Sequence, residues 1–362
     1  MAQTKTFKKI GVLTSGGDAP GMNAAVRAVT LAALSHGIEV VGIKEGYKGL
    51  YERNFVKLGI NEVANVIGLG GTFLYSARFP EFKDPEIVRK VADVCRHEGI
   101  EGLVAIGGDG TFRGATDLSR QGIPCIGIPG TIDNDISATD ASIGFDTAMN
   151  TVIELADKFR DTCESHARCN VIEVMGRNAG YIALQTGIAS GTAGIAIIEQ
   201  PYSEDEIVEV INKSVKAGKR SFIVTVSEGM PAMLNQPDFG ETLAKNIQTR
   251  TGVETKFARL AHLQRGGNPT LRDRYLATLM GHEAVEELLK GHSNLVICLK
   301  NDKICTENIE TALIFDKIVK GKAKQEELDK LDKQTLELLN QKAQQKQAEF
   351  DTVMAIAKEM AI

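Results

Sequence analysis

The stretch Pro129-Gly130-Thr131-Ile132-Asp133-Asn134-Asp135 sets two carboxylates one residue apart, beside a hydroxyl and a flexible glycine. Such a loop is costly to keep unless something charged is handled there, and a general base is the use it suggests. Taken alone, Asp-Asn-Asp is more often a turn in which Asp and Asn cap their own backbone. A second stretch shifts that balance. Gly107-Gly108-Asp109-Gly110-Thr111 follows the apolar run Leu103-Val104-Ala105-Ile106 and precedes a helix opening near Phe112. Glycines let a backbone approach a phosphate, and a helix start offers unpaired N–H groups at a positive dipole end. In such a turn Asp109 can hold a magnesium ion that bridges phosphates, while Asp133 accepts a proton from an attacking hydroxyl. That division of labour is phosphoryl transfer to an alcohol, where catalysis is positioning and charge neutralisation.

Other strand ends supply counter-charges. Ile10-Gly11-Val12-Leu13 runs into Thr14-Ser15-Gly16-Gly17-Asp18-Ala19-Pro20-Gly21 and then a helical pattern over 22–36, the strand, glycine loop, helix order of a phosphate cradle. A tight turn also needs glycine for steric reasons alone, so the second glycine-rich end at Gly107 is what gives this one weight. The loop 68–80 carries Arg78, able to fork onto phosphate oxygens; Leu74, Tyr75 and Phe79 around it speak against a merely solvated arginine. Arg177 stands in Met175-Gly176-Arg177-Asn178-Ala179-Gly180, and Arg265 in His262-Leu263-Gln264-Arg265-Gly266-Gly267-Asn268-Pro269. A lone histidine is more often structural, but His262 beside Arg265 and two glycines reads as a phosphate or sugar-phosphate clamp.

Strand-type and helix-type patterns alternate through most of the chain. Strands are expected at 10–13, 40–43, 103–106, 125–128, 171–174, 195–198, 222–226 and 257–261, with 295–299 the last, and helices between them. Alternation of this kind means an α/β fold with parallel sheet covered by helices on both faces. Ligands of open α/β sheets bind at the carboxyl ends of strands, where every motif above falls. From about Gly321 the composition changes: residues 322–362 contain no glycine or proline and are rich in Lys, Glu, Gln and Leu. Leu328, Leu331, Leu336, Leu339 and Phe350 form the apolar stripe of one or two exposed helices that need a partner surface.

A length of 362 residues, 43% hydrophobic and 25% charged, suits two domains with substantial cores. The net charge of -5, with basic residues spread out, argues against a nucleic-acid binder, as does the lack of Trp. Six cysteines form no C-x-x-C pair, and residues 1–9 are polar and basic without a signal-peptide core, so reduced thiols in the cytoplasm are expected. No run approaches the ~20 apolar residues that span a bilayer, so no membrane partner is expected.

The five motifs in order, LTSGGDAPGMN at 13–23, GGDGT at 107–111, PGTIDND at 129–135, MGR at 175–177 and HLQRGG at 262–267, resemble the bacterial ATP-dependent 6-phosphofructokinase family over residues 9 to about 320. The resemblance implies two Rossmann-like parallel-sheet domains: 1–144 with 262–318 as a large ATP-binding domain, 145–261 as a small sugar-phosphate domain, and 319–362 as a helical C-terminal extension. It implies a cytoplasmic homotetramer that uses Mg2+ and ATP to phosphorylate the 1-hydroxyl of fructose 6-phosphate. Asp133 is then the general base, with Arg78, Thr131 and Arg177 in the catalytic group and Asp109 on the metal. Gly16, Arg78, Phe79, Gly108, Asp109, Gly110 and Thr111 match the family's ATP contacts. Thr131, Asp133, Met175, Gly176, Arg177, Glu228, His262 and Arg265 match its sugar-phosphate contacts. Arg168 matches an arginine that reaches a neighbouring subunit's 6-phosphate, and Lys256 stands where a second such arginine is usual, keeping the charge and losing the fork.

Pyrophosphate-using relatives carry Asp at the position of Gly110 and Lys at that of Gly130, so both glycines point to ATP. A GGDGT loop also occurs in kinases resembling NAD kinase and diacylglycerol kinase, and a two-domain α/β chain is also the frame of a non-enzymatic binding module. PGTIDND with HLQRGG sets the chain apart from the first, and a binding module needs no base at Asp133. In the family's effector pocket for ADP or phosphoenolpyruvate, Arg27, Arg160, Lys219 and Arg220 match. Leu31, Ile60 and Ala217 replace usual cations there and Ala193 a glutamate, which implies a weak effector response.

Overall fold

Continuous apolar runs, rather than alternation, mark strands buried on both faces, and the central strands of this chain are of that kind. In the computed structural model, which describes residues 6–361, the strands are β1 (Lys9–Thr14), β2 (Glu39–Ile43), β3 (Phe55–Leu58), β4 (Gly102–Gly107), β5 (Cys125–Pro129), β6 (Arg168–Val174), β7 (Gly194–Ala196), β8 (Phe222–Ser227), β9 (Glu254–Arg259), β10 (Leu295–Lys300) and β11 (Lys303–Asn308). Residues 1–5 of the polar amino terminus, and Ile362, lie outside the described residues. All residues of β4, β5 and β8 are buried.

The chain packs as two units, the first from Met1–Ile132, Ile136–Thr147 and Arg265–Ala343, the second from Asp133–Asp135, Ala148–Gln264 and Gln344–Ile362. Among the described residues the first holds a seven-stranded sheet ordered β11-β10-β5-β4-β1-β2-β3. Its five inner strands are parallel, and both edges are antiparallel: β3 against β2 and β11 against β10. The sequence patterns end the strands at 295–299 and mark neither edge. The reason for β11 is local: Asn301 (φ 50) and Asp302 (φ 58) make the two-residue left-handed turn that joins antiparallel strands. From β1 the chain moves to β2 on one side, and from β4 to β5 on the other, so the order reverses between β1 and β4.

Phe112, Leu103, Ile43 and Leu50 lie in the core on one side of this sheet. Gly127 is required there, since a Cβ would come within 2.8 Å of the Phe112 ring. Truncating a buried leucine such as Leu103 to alanine would cost about 2–5 kcal/mol. The helices Met22–Ser35 and Leu271–Leu289 approach closely because Gly281 faces Ala28; a Cβ at 281 would lie 2.6 Å from that of Ala28.

The second unit is a wholly parallel four-stranded sheet, β7-β8-β6-β9, with Val171, Phe222, Val224, Ile211 and Ile247 in its core. The carboxyl-terminal segment is a short helix, Gln325–Leu328, followed by the long helix Lys333–Glu359. Leu339, Phe350, Met354 and Ala357 are its buried residues; Leu328, Leu331 and Leu336 are half-buried, so the apolar stripe lies further along than the leucines alone suggest.

Candidate active site at the strand ends

The reversal between β1 and β4 is where an open α/β sheet offers a crevice, and both flanking strands end in glycine turns. Ser15 donates its N–H to the Ile106 carbonyl at 3.0 Å, and buried Thr111 donates its hydroxyl to Ser15 O at 3.1 Å, tying the first turn to the second. Gly107 permits this approach, because a Cβ there would lie 2.3 Å from Ser15 O. Gly16, at φ +88, adopts a backbone that other residues rarely take. The helix Asp109–Arg120 begins with Gly108 as its N-cap, so the first-turn N–H groups of residues 109–111 point outward and the Asp109 carboxylate complements the dipole. Asp109 accepts from Arg113 at 3.2 Å and remains one-quarter exposed. Gly110 is exposed, and a Cβ there would meet nothing within 4 Å.

The loop bearing Arg78 is fastened to the same turn: Ser76 donates to Gly16 O at 2.6 Å and Thr14 to Tyr75 O at 2.9 Å. Arg78 itself is exposed, while Phe79 packs on Tyr51 with ring centroids 5.5 Å apart. Gly130 donates to Gly107 O at 3.0 Å, and Thr131 N–H to Ile143 O at 3.1 Å, which places buried Thr131 past β5, beside β4. Asp133 and Asp135 are buried at 4% and 8% exposure, an uncommon setting for two carboxylates. Arg265 belongs to the first unit, where it donates to Asp18 O at 3.1 Å and its guanidinium lies against Gly17.

In the second unit, Met175, Gly176 and Arg177 follow β6, Glu228 follows β8 and His262 follows β9, all at carboxyl ends of adjacent strands. Met175 and Gly176 are buried, Arg177 and His262 exposed. Glu228 accepts the N–H groups of Gly176 at 3.2 Å and Arg177 at 2.5 Å, holding a turn in which Arg177 has φ 56. Gln264, fully buried, accepts from Met175 N at 3.1 Å and donates to Ala261 O at 3.0 Å, tying the turn after β6 to the one after β9. The motif HLQRGG contains Gln264 but gives it no role; burial of its amide is the signal that finds it.

Arg168 and Lys256 are placed elsewhere, near the amino ends of β6 and β9, with the other six residues of β6, about 20 Å of strand, between Arg168 and the turn at Met175. Both bind Glu254, at 2.7 and 2.9 Å, and the Arg168 bond followed by the Lys256 bond lowers its carboxyl to about 2. Three of the expected effector cations gather around the helix Phe145–His166: Arg160 donates to Ser190 O, Arg220 to Glu164 O at 3.4 Å, and burial together with the charge of Arg160 lowers the Lys219 ammonium. Arg27 lies in the first unit with its Nε buried and unpartnered. Ala193 lines a cleft of about 320 Å³ in the second unit that includes none of the expected substrate residues.

Buried thiols are no rival nucleophiles, since burial pushes Cys95 and Cys298 up to about 12. Among the described residues no group of three or more His, Cys, Asp or Glu could cage a metal, and no helix is long and apolar enough to cross a membrane. A single carboxylate, Asp109, nonetheless fits magnesium, which is held through one or two carboxylates plus substrate phosphates rather than by an all-protein cage.

A profile described as phosphofructokinase matches residues 9–288. The chain is 48% identical to an ATP-dependent 6-phosphofructokinase of Bacillus mycoides (strain KBAB4) over 307 residues, 85% of this chain and 94% of that relative. Among solved structures it is similar to phosphofructokinase from Saccharomyces cerevisiae (33% identity, TM-score 0.81), covering 93% of this chain and 48% of that one. It is likewise similar to Pichia pastoris phosphofructokinase in the T-state (31% identity, TM-score 0.83), covering 98% and 40%. The chain therefore spans about half the length of the yeast chain and less of the Pichia one.

Proposed function

This chain belongs to the phosphofructokinase family, and from that premise we propose that it transfers the γ-phosphoryl group of ATP to the 1-hydroxyl of fructose 6-phosphate, a kinase step of glycolysis in the cytoplasm. The observation that carries this reading is the pair of glycine turns after β1 and β4, on either side of the strand-order reversal, with the Asp109 carboxylate in the first turn of the helix that leaves one of them. The first unit then serves as the nucleotide domain and the second as the sugar-phosphate domain.

The outward N–H groups of residues 109–111 and the backbone around Gly16 receive phosphate oxygens of ATP, and Phe79 flanks the nucleotide. Asp109 would hold Mg2+, which, when bound, would neutralise charge on the phosphates. Arg78, Thr131 and Arg177 stabilise the transferring phosphoryl, and Arg265 and His262 hold the sugar phosphate. Asp133 accepts the proton of the 1-hydroxyl as its oxygen attacks phosphorus, so that the bond to the leaving phosphate breaks while the new ester forms. Glu228 and Gln264 fix the backbone from which Met175, Gly176 and Arg177 contact the sugar.

Arg168 and Lys256, at the opposite strand ends from that group, serve the 6-phosphate of a neighbouring subunit in a homotetramer. The Gly110 position favours ATP over pyrophosphate: the protein leaves the space open, so an aspartate there would meet and repel the nucleotide's phosphates. A coupled assay of fructose 6-phosphate with ATP or pyrophosphate tests the proposal; equal rates with both donors would overturn the donor assignment, and no sugar phosphorylation with either would overturn the function.

A further inference from the structure

The turn Arg177–Gly180 is held from several sides. A non-glycine residue at φ 56, such as Arg177, persists where its surroundings over-determine it. Glu228 holds one flank. On the other, Gly180 starts the helix Tyr181–Ala189 with no side-chain cap of its own and donates its N–H to Glu199 Oε1 at 2.6 Å. Burial raises the Glu199 carboxyl, and its Oε2 is buried without a hydrogen-bond partner. The carboxylate closes on this residue: a Cβ at 180 would lie 2.5 Å from Oε2 and 2.7 Å from Ile197.

Both sides of this flank lead to the carboxyl-terminal helix. Gln200, next to Glu199, donates Nε2 to Asp351 Oδ1 at 2.6 Å. Phe350, 8% exposed, meets the ring of Tyr181 edge-on, with centroids 5.8 Å apart and an interplanar angle of 80°. Phe350, Met354 and Ala357 recur at the spacing of one helix face, and Lys358 pairs with Glu206 at 2.9 Å, so the helix is seated on the second unit over residues 350–358. Two adjacent residues of the helix thus act on two adjacent residues of the chain, Phe350 on Tyr181 directly and Asp351 on Gly180 through Gln200 and Glu199.

We infer that the carboxyl-terminal helix, which lies beyond the stretch matched by the family profile, is a brace for the sugar-phosphate turn, with Phe350 and Asp351 as positioning residues for Gly176 and Arg177. Its kinetic consequence rests on the proposed function. The brace acts on the turn's geometry, so it changes the affinity for the sugar phosphate and leaves the nucleotide turns of the first unit alone.

The test uses the full chain. Phe350→Ala should raise KM for fructose 6-phosphate about threefold to tenfold and Asp351→Ala about twofold to fivefold, with KM for ATP and kcat at saturating sugar phosphate within about twofold. Phe350→Tyr, which keeps the ring, should restore the wild-type constant. Hydrogen exchange on the same proteins should show faster exchange at the amides of residues 176–181, with β8 unchanged. A fall in melting temperature with sugar-phosphate KM and exchange at 176–181 unaltered, or a parallel rise of both KM values, would overturn the brace. Should Phe350→Ala fail to fold, Asp351→Ala and Gln200→Ala decide by the same readouts. Wild-type protein that does not phosphorylate fructose 6-phosphate would overturn the proposed function instead, and the exchange measurement would still judge the brace.

Discussion

The strand-end turns of the first unit are tied by backbone groups and hydroxyls, whereas in the second carboxylates and an amide add to the backbone ties. Around β1 and β4 the bonds run between Ser15 N–H and Ile106 O, Thr111 hydroxyl and Ser15 O, Gly130 N–H and Gly107 O. Around β6 the N–H groups of Met175, Gly176, Arg177 and Gly180 go to Gln264, Glu228 and Glu199. The first arrangement keeps helix-start N–H groups available for phosphate, and it fails when a side chain intrudes. The second uses its N–H groups to fix shape, so it fails when a side chain is removed, and under the proposed function its anion binding falls to cationic side chains.

Asp133→Ser tests the proposed general base. It should lower kcat by a factor of about 10² to 10⁴ with KM for the sugar phosphate little changed, since a base acts in the transition state. Turnover within a few-fold of wild type would remove Asp133 from the mechanism.

Removal in the second unit comes next. Glu228→Ala deprives two turn N–H groups of a charged acceptor, each such bond being worth about 1.5–3 kcal/mol, so kcat/KM for fructose 6-phosphate should fall at least about tenfold while KM for ATP holds. An equal loss with respect to ATP would erase the contrast drawn between the units.

Intrusion into the first unit is the reciprocal case. The Cβ of Gly110→Asp meets no protein atom within 4 Å, so its melting temperature should match wild type while KM for ATP rises about tenfold through repulsion of the phosphates. Wild-type ATP affinity in this variant would defeat the steric and electrostatic argument together.

The cations at the amino ends of β6 and β9 allow a smaller, pH-dependent test. Folding lowers the Glu254 carboxyl from the ordinary 4.5 to about 2, by the bond to Arg168 and then that to Lys256. Its contribution to stability is therefore complete above pH 4.5 and lost as the pH falls toward 2. Glu254→Gln should melt below wild type at neutral pH, with the two curves converging as the pH approaches 2; a gap that is the same at both ends would show that the ion pairs do not stabilise the fold. In the same region, Lys256→Arg should lower KM for the sugar phosphate modestly, since a guanidinium can hold a phosphate with two bonds.

The smallest expected effect is that of regulators. Each missing cation at Leu31, Ile60 or Ala217 removes a bond worth about 1.5–3 kcal/mol, and two such losses exceed a hundredfold in affinity. Millimolar phosphoenolpyruvate or ADP should move the sugar-phosphate curve by less than about twofold, because coupling cannot exceed differential binding. A several-fold shift in wild type would overturn this, and Leu31→Arg with Ile60→Arg should restore part of a response.

By itself the sequence determined the strand and helix alternation, the placing of glycine turns at strand ends and the candidates for base and metal ligand. These are local properties: apolar runs bury, glycines permit close approach, and a motif such as GGDGT carries its own backbone geometry. Tertiary structure alone decided the antiparallel edge at β3, because strand direction depends on which neighbour a strand finds, whereas the edge at β11 follows from the local turn at Asn301 and Asp302. It decided that Arg168 and Lys256 stand with Glu254 at the amino ends, since only the register of β6 against β9 brings residues 168 and 256 to one acidic partner. It also decided what Phe350 touches: a 3.6-residue period says that a helix has an apolar face, whereas the ring of Tyr181 is 169 positions away in the chain, and only folding brings the two together.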